Sequence, residues 1–131
     1  MEQIFVSKMN ENIDYIAKYV LNNLTKSKII LLNGDLGAGK TTLIKSLAKL
    51  INISEPITSP TFNYMKNYDG LIHIDAYNLS ESLDEFEDYY LDNIVAIEWA
   101  NNISHNYSNY LDIHISFDKD NNHIFNIRKV E

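Results

Sequence analysis

Apolar residues follow two different spacings along the chain, and the spacing predicts which segments are strands and which are helices. Ile29–Leu32 is an uninterrupted apolar run and Asn93–Glu98 contains a second one, as expected of strands buried on both faces of a sheet. In Leu43–Ile51 the apolar residues instead recur every three or four positions, which is typical of one face of a helix. The same spacing predicts helices over Ile13–Leu24 and Leu79–Leu91.

Shorter extended segments complete the predicted set of elements. Further strands are predicted at Ile4–Val6, Phe62–Tyr68, Leu71–Asp75, Tyr110–Phe117 and Ile124–Val130. Asp69-Gly70 is a hairpin turn signal, so the two strands beside it are expected to pair in antiparallel orientation within an otherwise parallel sheet. Asn10 is the predicted N-cap of the first helix.

Residues 34–41 read G-D-L-G-A-G-K-T and match the phosphate-binding loop G-x-x-x-x-G-K-[ST] without deviation. Glycines let consecutive backbone N–H groups surround phosphate oxygens, and the helix that follows directs its positive end to the same anion. Lys40 is predicted to reach the β- and γ-phosphates, and the Thr41 hydroxyl to bind Mg²⁺. A Gly-rich turn that matches by chance is the alternative, but the apolar strand before the loop and the amphipathic helix after it are the context that the motif requires.

These elements predict the α/β fold class. The expected architecture is a P-loop NTPase-like three-layer sandwich, with a mixed, mostly parallel sheet that includes a hairpin and has helices on both faces. A chain of 131 residues can form one sizeable core, so residues 1–131 are predicted to be a single P-loop ATPase domain.

The charge of the chain limits its partners and its chemistry. The net charge is −7, whereas a protein that binds tRNA or DNA alone usually has a basic surface. Arg128 is the one arginine among the eleven cations, although phosphoryl-transfer enzymes commonly direct an arginine to the γ-phosphate. We therefore expect slow ATP hydrolysis by the chain alone. The lack of cysteine and of a secretory or membrane-spanning pattern favours a cytoplasmic location.

Two acidic residues stand at the ends of predicted strands. Asp75 follows L-I-H-I, and Glu98 follows I-V-A-I. An acid at the carboxyl end of a strand is how a Walker B carboxylate is delivered beside a P-loop, and a second acid there would complete the machinery that holds Mg²⁺ and water. His73, within the strand that ends at Asp75, is predicted to be a packed, hydrogen-bonded residue rather than a metal ligand.

Two further segments leave alternatives open. Thr58–Phe62 contains three hydroxyl groups after the P-loop helix, and it is either a nucleotide-sensing switch loop or a capped turn. Acidic residues crowd segment 81–92, for which a solvated helix face is favoured over a docking surface for a basic partner.

Four motifs, in this order, resemble the bacterial TsaE (YjeE) family of the tRNA threonylcarbamoyladenosine pathway. They are G-D-L-G-A-G-K-T-T at 34–42, T-S-P-T-F at 58–62, H-I-D-A-Y at 73–77 and I-E-W at 97–99. Many families share the P-loop, but the other three motifs together are far more specific. The resemblance extends from Ile4 to about Ile115.

The resemblance implies a small ATPase that uses ATP and Mg²⁺ and joins a TsaB–TsaD heterodimer. That assembly transfers a threonylcarbamoyl group to adenosine 37 of tRNA, so tRNA would be met only through the partners. No membrane partner is expected, because the sequence has no membrane-spanning pattern. Lys40, Asp75 and Glu98 would be catalytic, and Thr41 and Glu98 would bind the metal. The residues implied to contact ATP are Asn10, Gly34, Asp35, Leu36, Gly37, Ala38, Gly39, Lys40, Thr41, Thr42, Thr61 and Trp99.

The chain departs from the family pattern at two places. Asn78 stands where the family usually has an arginine after H-x-D-x-Y, so any role of that arginine is missing from this position. Asn78–Asn93 is also shorter than usual and lacks the customary glycine. A contact that this segment makes with a partner would be altered.

Three other functions are alternatives to a partner-activated ATPase. A small-molecule kinase usually needs an arginine-rich lid, which this chain lacks, and a GTPase should carry an N-K-x-D motif, which is not present. A nucleotide-gated binding module without significant turnover stays open, because a bound ligand can shift conformations without being hydrolysed.

Overall fold

The computed structural model describes residues 2–35, 37, 39–58, 60 and 64–131. Its strands are β1 (Glu2–Ser7), β2 (Ile29–Gly34), β3 (Met65–Tyr68), β4 (Leu71–Asp75), β5 (Ile94–Glu98), β6 (Tyr110–Phe117) and β7 (His123–Val130). The α-helices are α1 (Asp14–Asn22) and α2 (Lys40–Leu50), and Asp84–Tyr89 and Ala100–Asn102 are 3-10 helices.

In the described residues the strands form one seven-stranded sheet, in the order β1-β7-β6-β2-β5-β4-β3. The P-loop strand β2 is parallel to both of its neighbours, β5 and β6, and β4 is parallel to β5. β7 is antiparallel to β6 and β1, and β3 pairs with β4 as the predicted hairpin. Five of these strands therefore run in one direction, which confirms the mixed, mostly parallel sheet.

The two faces of the sheet are covered differently. Both α-helices pack on one face, where the fully buried Ile16 and Ala17 of α1 and Ile44 of α2 lie in the same apolar core as Ile30 of β2. The opposite face is covered by the segments around the 3-10 helices. Leu83, just before the first of these helices, packs in a second core on that face. The three-layer α/β architecture is thus confirmed, with 3-10 helices in the third layer. Within the described residues, no helix combines the length and the apolar character needed to cross a bilayer.

The helix predicted over Leu79–Leu91 is wrong in type and extent, because only Asp84–Tyr89 is helical and its geometry is 3-10. Four acids crowd this segment, and like charges three or four positions apart destabilise an α-helix. Its apolar stripe is nevertheless real: Leu83 is buried, and Phe86 and Tyr90 pack partly against the same core.

The predicted N-cap of the first helix is also wrong. α1 begins at Asp14, and Asn10 instead has a φ of 63° in the turn that precedes it. Asparagine adopts this left-handed conformation more readily than most residues. The side chain of Asn12 accepts a hydrogen bond from the backbone N–H of Asp14, the first residue of the helix, at 2.8 Å.

Candidate functional site

The P-loop connects the end of β2, at Gly34, to the start of α2, at Lys40. Gly37 and Gly39 have φ values of 81° and 113°, which side-chain-bearing residues rarely adopt. Gly39 is the N-cap of α2, and among the described residues no side chain caps that helix end. The first backbone N–H groups of α2 are therefore available to an anion, as the phosphate-binding motif requires.

Gly39 also leaves room for a side chain from the other end of the sequence. A Cβ atom at this position would lie 3.1 Å from Nδ1 of His123, at the start of β7, and 4.0 Å from Cζ of Phe125. The His123 ring contacts Phe117 edge-on, with 4.9 Å between ring centroids. His123 is thus packed against the phosphate loop, a contact that no motif in the sequence predicts.

Lys40 is buried, with its ammonium group bonded to its own loop. Nζ donates hydrogen bonds to the carbonyl oxygens of Gly34 at 2.5 Å and Asp35 at 3.1 Å. The same atom lies 3.9 Å from the centre of the Trp99 ring, a cation–π distance. Burial lowers the pKa of Lys40, although the negative charge of Glu98 opposes the shift. The lysine is therefore a poorly solvated cation at the mouth of the loop.

Glu98, at the carboxyl end of β5, contacts side chains of α2 and β4. Its two carboxylate oxygens each lie 3.1 Å from the Thr41 hydroxyl, which donates from the first turn of α2. Oε2 also contacts Nε2 of His73, on β4, at 2.6 Å. Glu98 is 4% exposed and His73 is fully buried. The prediction that His73 is a packed, hydrogen-bonded residue agrees with this geometry, but its partner is a site residue.

Asp75 ends β4 directly beside Glu98, with which it is paired in the sheet register. Its Oδ1 accepts a hydrogen bond from the backbone N–H of Tyr77 at 3.0 Å. Burial raises the pKa of Asp75, and the negative charge of Glu98 adds to the increase. The two strand-end acids therefore lie side by side in different environments, since Glu98 is held by two side-chain donors.

Trp99 follows β5 in a left-handed backbone conformation, with a φ of 59° and a ψ of 40°. Such a φ is a genuine outlier for a bulky residue, and strained residues of this kind cluster at functional sites. The turn after it is fixed by Asn33, whose Oδ1 accepts the backbone N–H of Asn101 at 2.7 Å. Tyr77 packs against the Trp99 ring, with centroids 4.9 Å apart. The ring is thereby held over Lys40.

A cavity of about 240 Å³ lies between these groups. It is lined by Gly37, Gly39, Lys40, Thr41, Thr42, Asp75, Glu98, Trp99 and His123. A second cavity of about 160 Å³ shares Gly39, Thr42 and His123 with the first, and Asn10 is among its other lining residues. The predicted metal and acid residues and most of the described phosphate-loop residues thus face one space, and Asn10 faces an adjoining one. Gly34 and Asp35 do not line either cavity; their carbonyl oxygens bind Lys40 instead.

The structure leaves part of the predicted site without description. Leu36, Ala38 and Thr61 lie outside the described residues, as does most of the Thr58–Phe62 segment. Thr58 itself is described: its backbone N–H donates to the Tyr68 hydroxyl at 3.3 Å, and its hydroxyl accepts from Lys66 at 2.9 Å. The choice between a switch loop and a capped turn therefore stays open.

The donor set of the cavity fits Mg²⁺ bound together with phosphates. Thr41 and Glu98 offer a hydroxyl and a carboxylate that are already in contact, and Asp75 lies on the neighbouring strand. Magnesium prefers oxygen ligands and usually takes one or two from the protein, with phosphates and water supplying the rest. The described residues contain no cluster of three or more metal-binding side chains that could hold an ion by themselves.

Comparisons with known proteins agree with this architecture. The family model for threonylcarbamoyl adenosine biosynthesis protein TsaE matches residues 7–128. The tRNA threonylcarbamoyladenosine biosynthesis protein TsaE of a Nostoc species is 36% identical over 129 residues, which cover 89% of this chain and 79% of that protein. The protein of the same name from Borreliella burgdorferi is 46% identical over 85 residues, covering 55% of this chain and 59% of that protein.

A solved structure supports the fold separately. The crystal structure of Bacillus subtilis YdiB matches with a TM-score of 0.72 at 24% identity, and the match covers 100% of this chain and 87% of that one. The two chains therefore share a fold.

Proposed function

The chain belongs to the TsaE family, and on this basis we propose that it is an ATP-binding and ATP-hydrolysing subunit of tRNA threonylcarbamoyladenosine biosynthesis. The observation that carries the ATPase part of the proposal is the convergence of Lys40, Thr41, Asp75 and Glu98 on one cavity at the N-terminus of α2. In this proposal residues 1–131 act as one P-loop ATPase domain, in the cytoplasm.

The triphosphate would bind where backbone N–H groups and one cation face the cavity. Lys40 is held by two carbonyl oxygens of its own loop, and phosphate oxygens would replace them as stronger, charged acceptors. The rest of the nucleotide would extend toward the adjoining cavity, which is lined by Asn10 and His123. The packing of His123 against Gly39 supports this direction, because it closes one side of the phosphate loop.

Mg²⁺ would be held by the Thr41 hydroxyl and the Glu98 carboxylate, and when bound it would neutralise charge on the phosphates. Asp75 is the better candidate to orient the attacking water. Both acids line the cavity, but Glu98 is engaged by Thr41 and His73, whereas among the described residues Asp75 accepts only a backbone N–H, with one oxygen. The raised pKa of Asp75 also suits a group that receives a proton.

Hydrolysis by the chain alone would be slow. Arg128 lies on β7 and bonds to Asp112 at 3.0 Å, and among the described residues the cavity lining includes no arginine. An arginine directed at the γ-phosphate is worth several orders of magnitude in rate. Faster turnover would require a TsaB–TsaD-like heterodimer to complete the site, and tRNA would be met through those partners.

Steady-state ATP hydrolysis, measured with and without the TsaB–TsaD pair, tests this function. We expect a low rate alone and a marked increase with the partners, and equal rates in both conditions would contradict partner activation. Phosphate release in a single turnover would then separate a slow ATPase from a nucleotide-gated module. A chain that binds ATP but releases no phosphate, even with the partners, would be such a module.

A further inference from the structure

His73 lies in the middle of β4, away from the phosphate loop in sequence but next to the metal-binding acid in space. In the sheet register His73 pairs with Ala96, while Asp75 pairs with Glu98. His73 and Glu98 are therefore diagonal neighbours on the face that carries α2. Their contact, 2.6 Å from Nε2 to Oε2, is buried on both sides.

The donor of this hydrogen bond follows from the charge of Glu98. Glu98 is an acceptor when ionised, so Nε2 of His73 must carry the proton that the two atoms share. Nδ1 of His73 has no hydrogen-bond partner among the described residues, although it is completely buried. Buried polar atoms are nearly always paired, and each exception needs an explanation. An apolar side chain at position 73 would avoid this unpaired atom, so packing alone does not account for a histidine.

The two carboxylate oxygens of Glu98 differ in their hydrogen-bond partners. Oε2 accepts from both His73 and Thr41, whereas among the described residues Oε1 accepts from Thr41 alone. A glutamate side chain has several rotatable bonds, and a bond to the buried imidazole selects one orientation of the carboxylate. In that orientation both oxygens lie 3.1 Å from the Thr41 hydroxyl, and Oε1 has no second partner among the described residues.

We propose that His73 is a positioning residue that holds Glu98 so that Oε1 and the Thr41 hydroxyl together face a divalent cation bound with nucleotide. This inference rests on the proposed ATPase function and adds a residue to its metal site. Hydrogen-bonded neighbours that orient a metal ligand commonly change metal affinity by about 10- to 100-fold when they are removed.

Three substitutions at one position test the proposal. His73→Gln places an amide N–H close to the position of Nε2, and His73→Asn is too short to reach it. His73→Leu fills the space without a donor. His114→Gln, at an exposed position of β6, is the matched control for replacing a histidine by an amide.

The measurement is binding of a fluorescent ATP analogue, first in EDTA and then during a Mg²⁺ titration. His73→Leu and His73→Asn should weaken the apparent Mg²⁺ affinity by about 10-fold or more, and affinity in EDTA should change less than about 2-fold because the phosphate loop is intact. His73→Gln should restore most of the Mg²⁺ dependence. Thermal unfolding shows that each variant is folded, and should His73→Leu fail to fold, the comparison of Gln with Asn decides.

Three results would overturn the proposal. One is an unchanged Mg²⁺ dependence in His73→Asn, and another is an equal loss of affinity with and without Mg²⁺, which indicates a merely structural role. In both cases the wild-type chain still binds Mg·ATP, and the proposed function stands. A wild-type chain that binds no nucleotide would overturn the proposed function, and this inference with it.

Discussion

The ammonium group of Lys40 lies 3.9 Å from the centre of the Trp99 ring while it donates to the carbonyl oxygens of Gly34 and Asp35. The lysine that the motif assigns to phosphate therefore has two acceptors and an aromatic face within the protein itself. Trp99 is the one tryptophan of the chain, so tryptophan emission comes from this position alone.

We expect Mg·ATP to change the fluorescence of Trp99 saturably, because phosphate oxygens would draw the Lys40 ammonium away from the indole face. Titration of the wild-type chain with Mg·ATP, and with adenosine as a ligand without phosphates, measures this. Adenosine should produce a much smaller change. An unaltered spectrum at saturating nucleotide would contradict the predicted movement of the lysine.

Lys40→Ala should abolish measurable nucleotide binding or reduce ATP hydrolysis by at least about 100-fold, the usual scale for removing one preorganised electrostatic group. The fold should survive, since burial lowers the pKa of Lys40 and its charge therefore opposes folding. Lys49→Ala is the matched control, because Lys49 is on the same helix but is exposed and pairs with Asp14. Equal turnover in the wild type and Lys40→Ala would refute the phosphate site.

Alanine at the two loop glycines should have unequal effects. Both have positive φ, so a side chain strains the backbone at either position, at a cost of order 1–3 kcal/mol. A Cβ atom at Gly37 would meet nothing within 4 Å, whereas one at Gly39 would lie 3.1 Å from His123 Nδ1. Gly39→Ala should therefore lower the thermal unfolding midpoint more than Gly37→Ala.

The double variant Gly39→Ala/His123→Ala tests whether a clash with His123 causes the larger loss of unfolding midpoint in Gly39→Ala. Removing the imidazole should recover part of the midpoint lost in Gly39→Ala, and the two changes should be non-additive because they are in contact. Strict additivity would show that His123 does not press on the loop.

Asp75→Asn should raise the unfolding midpoint of the nucleotide-free chain at pH 7, while it reduces ATP hydrolysis. Burial raises the pKa of Asp75 in the folded state, so the folded chain holds this proton more tightly than the unfolded one. The stability contributed by the group is present at low pH and is lost as the pH rises through its folded pKa. The advantage of asparagine should therefore shrink toward acidic pH, as thermal unfolding at several pH values will show.

Asp118→Asn is a control for which we expect the opposite change in the unfolding midpoint. Hydrogen bonds from Asn122 lower the pKa of Asp118, so its ionised form is stabilised in the folded chain. This substitution should lower the midpoint at pH 7, and the loss should disappear as the pH falls through the folded pKa. Two variants that shift in the same direction at pH 7 would argue against burial as the cause of the Asp75 effect.

The parts of the fold that were predictable from sequence are those specified by local pattern. The apolar run Ile29–Leu32 indicated a strand buried on both faces, and all four residues are buried in β2. Asp75 and Glu98 were located because a strand that ends in an acid carries its side chain to a definite edge of the sheet. Each of these signals lies within one short segment of the chain.

The parts that were not predictable depend on contacts between distant segments. His123 reaches the phosphate loop because β7 folds back beside β6. The residues around position 123 contain no pattern that predicts a contact with Gly39. The bond between His73 and Glu98 needs the parallel register of β4 and β5 to be known. The 3-10 geometry of Asp84–Tyr89 reflects repulsion between acids that the apolar stripe alone does not reveal.

The position of β2 between β5 and β6 has a consequence for how the chain folds during its synthesis. Gly34 is paired with Ile115, so the phosphate loop has no completed support until a segment far along the chain has been synthesised. Pairings between such distant segments form slowly, and unpaired apolar strands are prone to aggregate while they wait. A nascent chain on the ribosome would therefore carry an apolar strand without partners, and its capacity to retain nucleotide would arise late in translation.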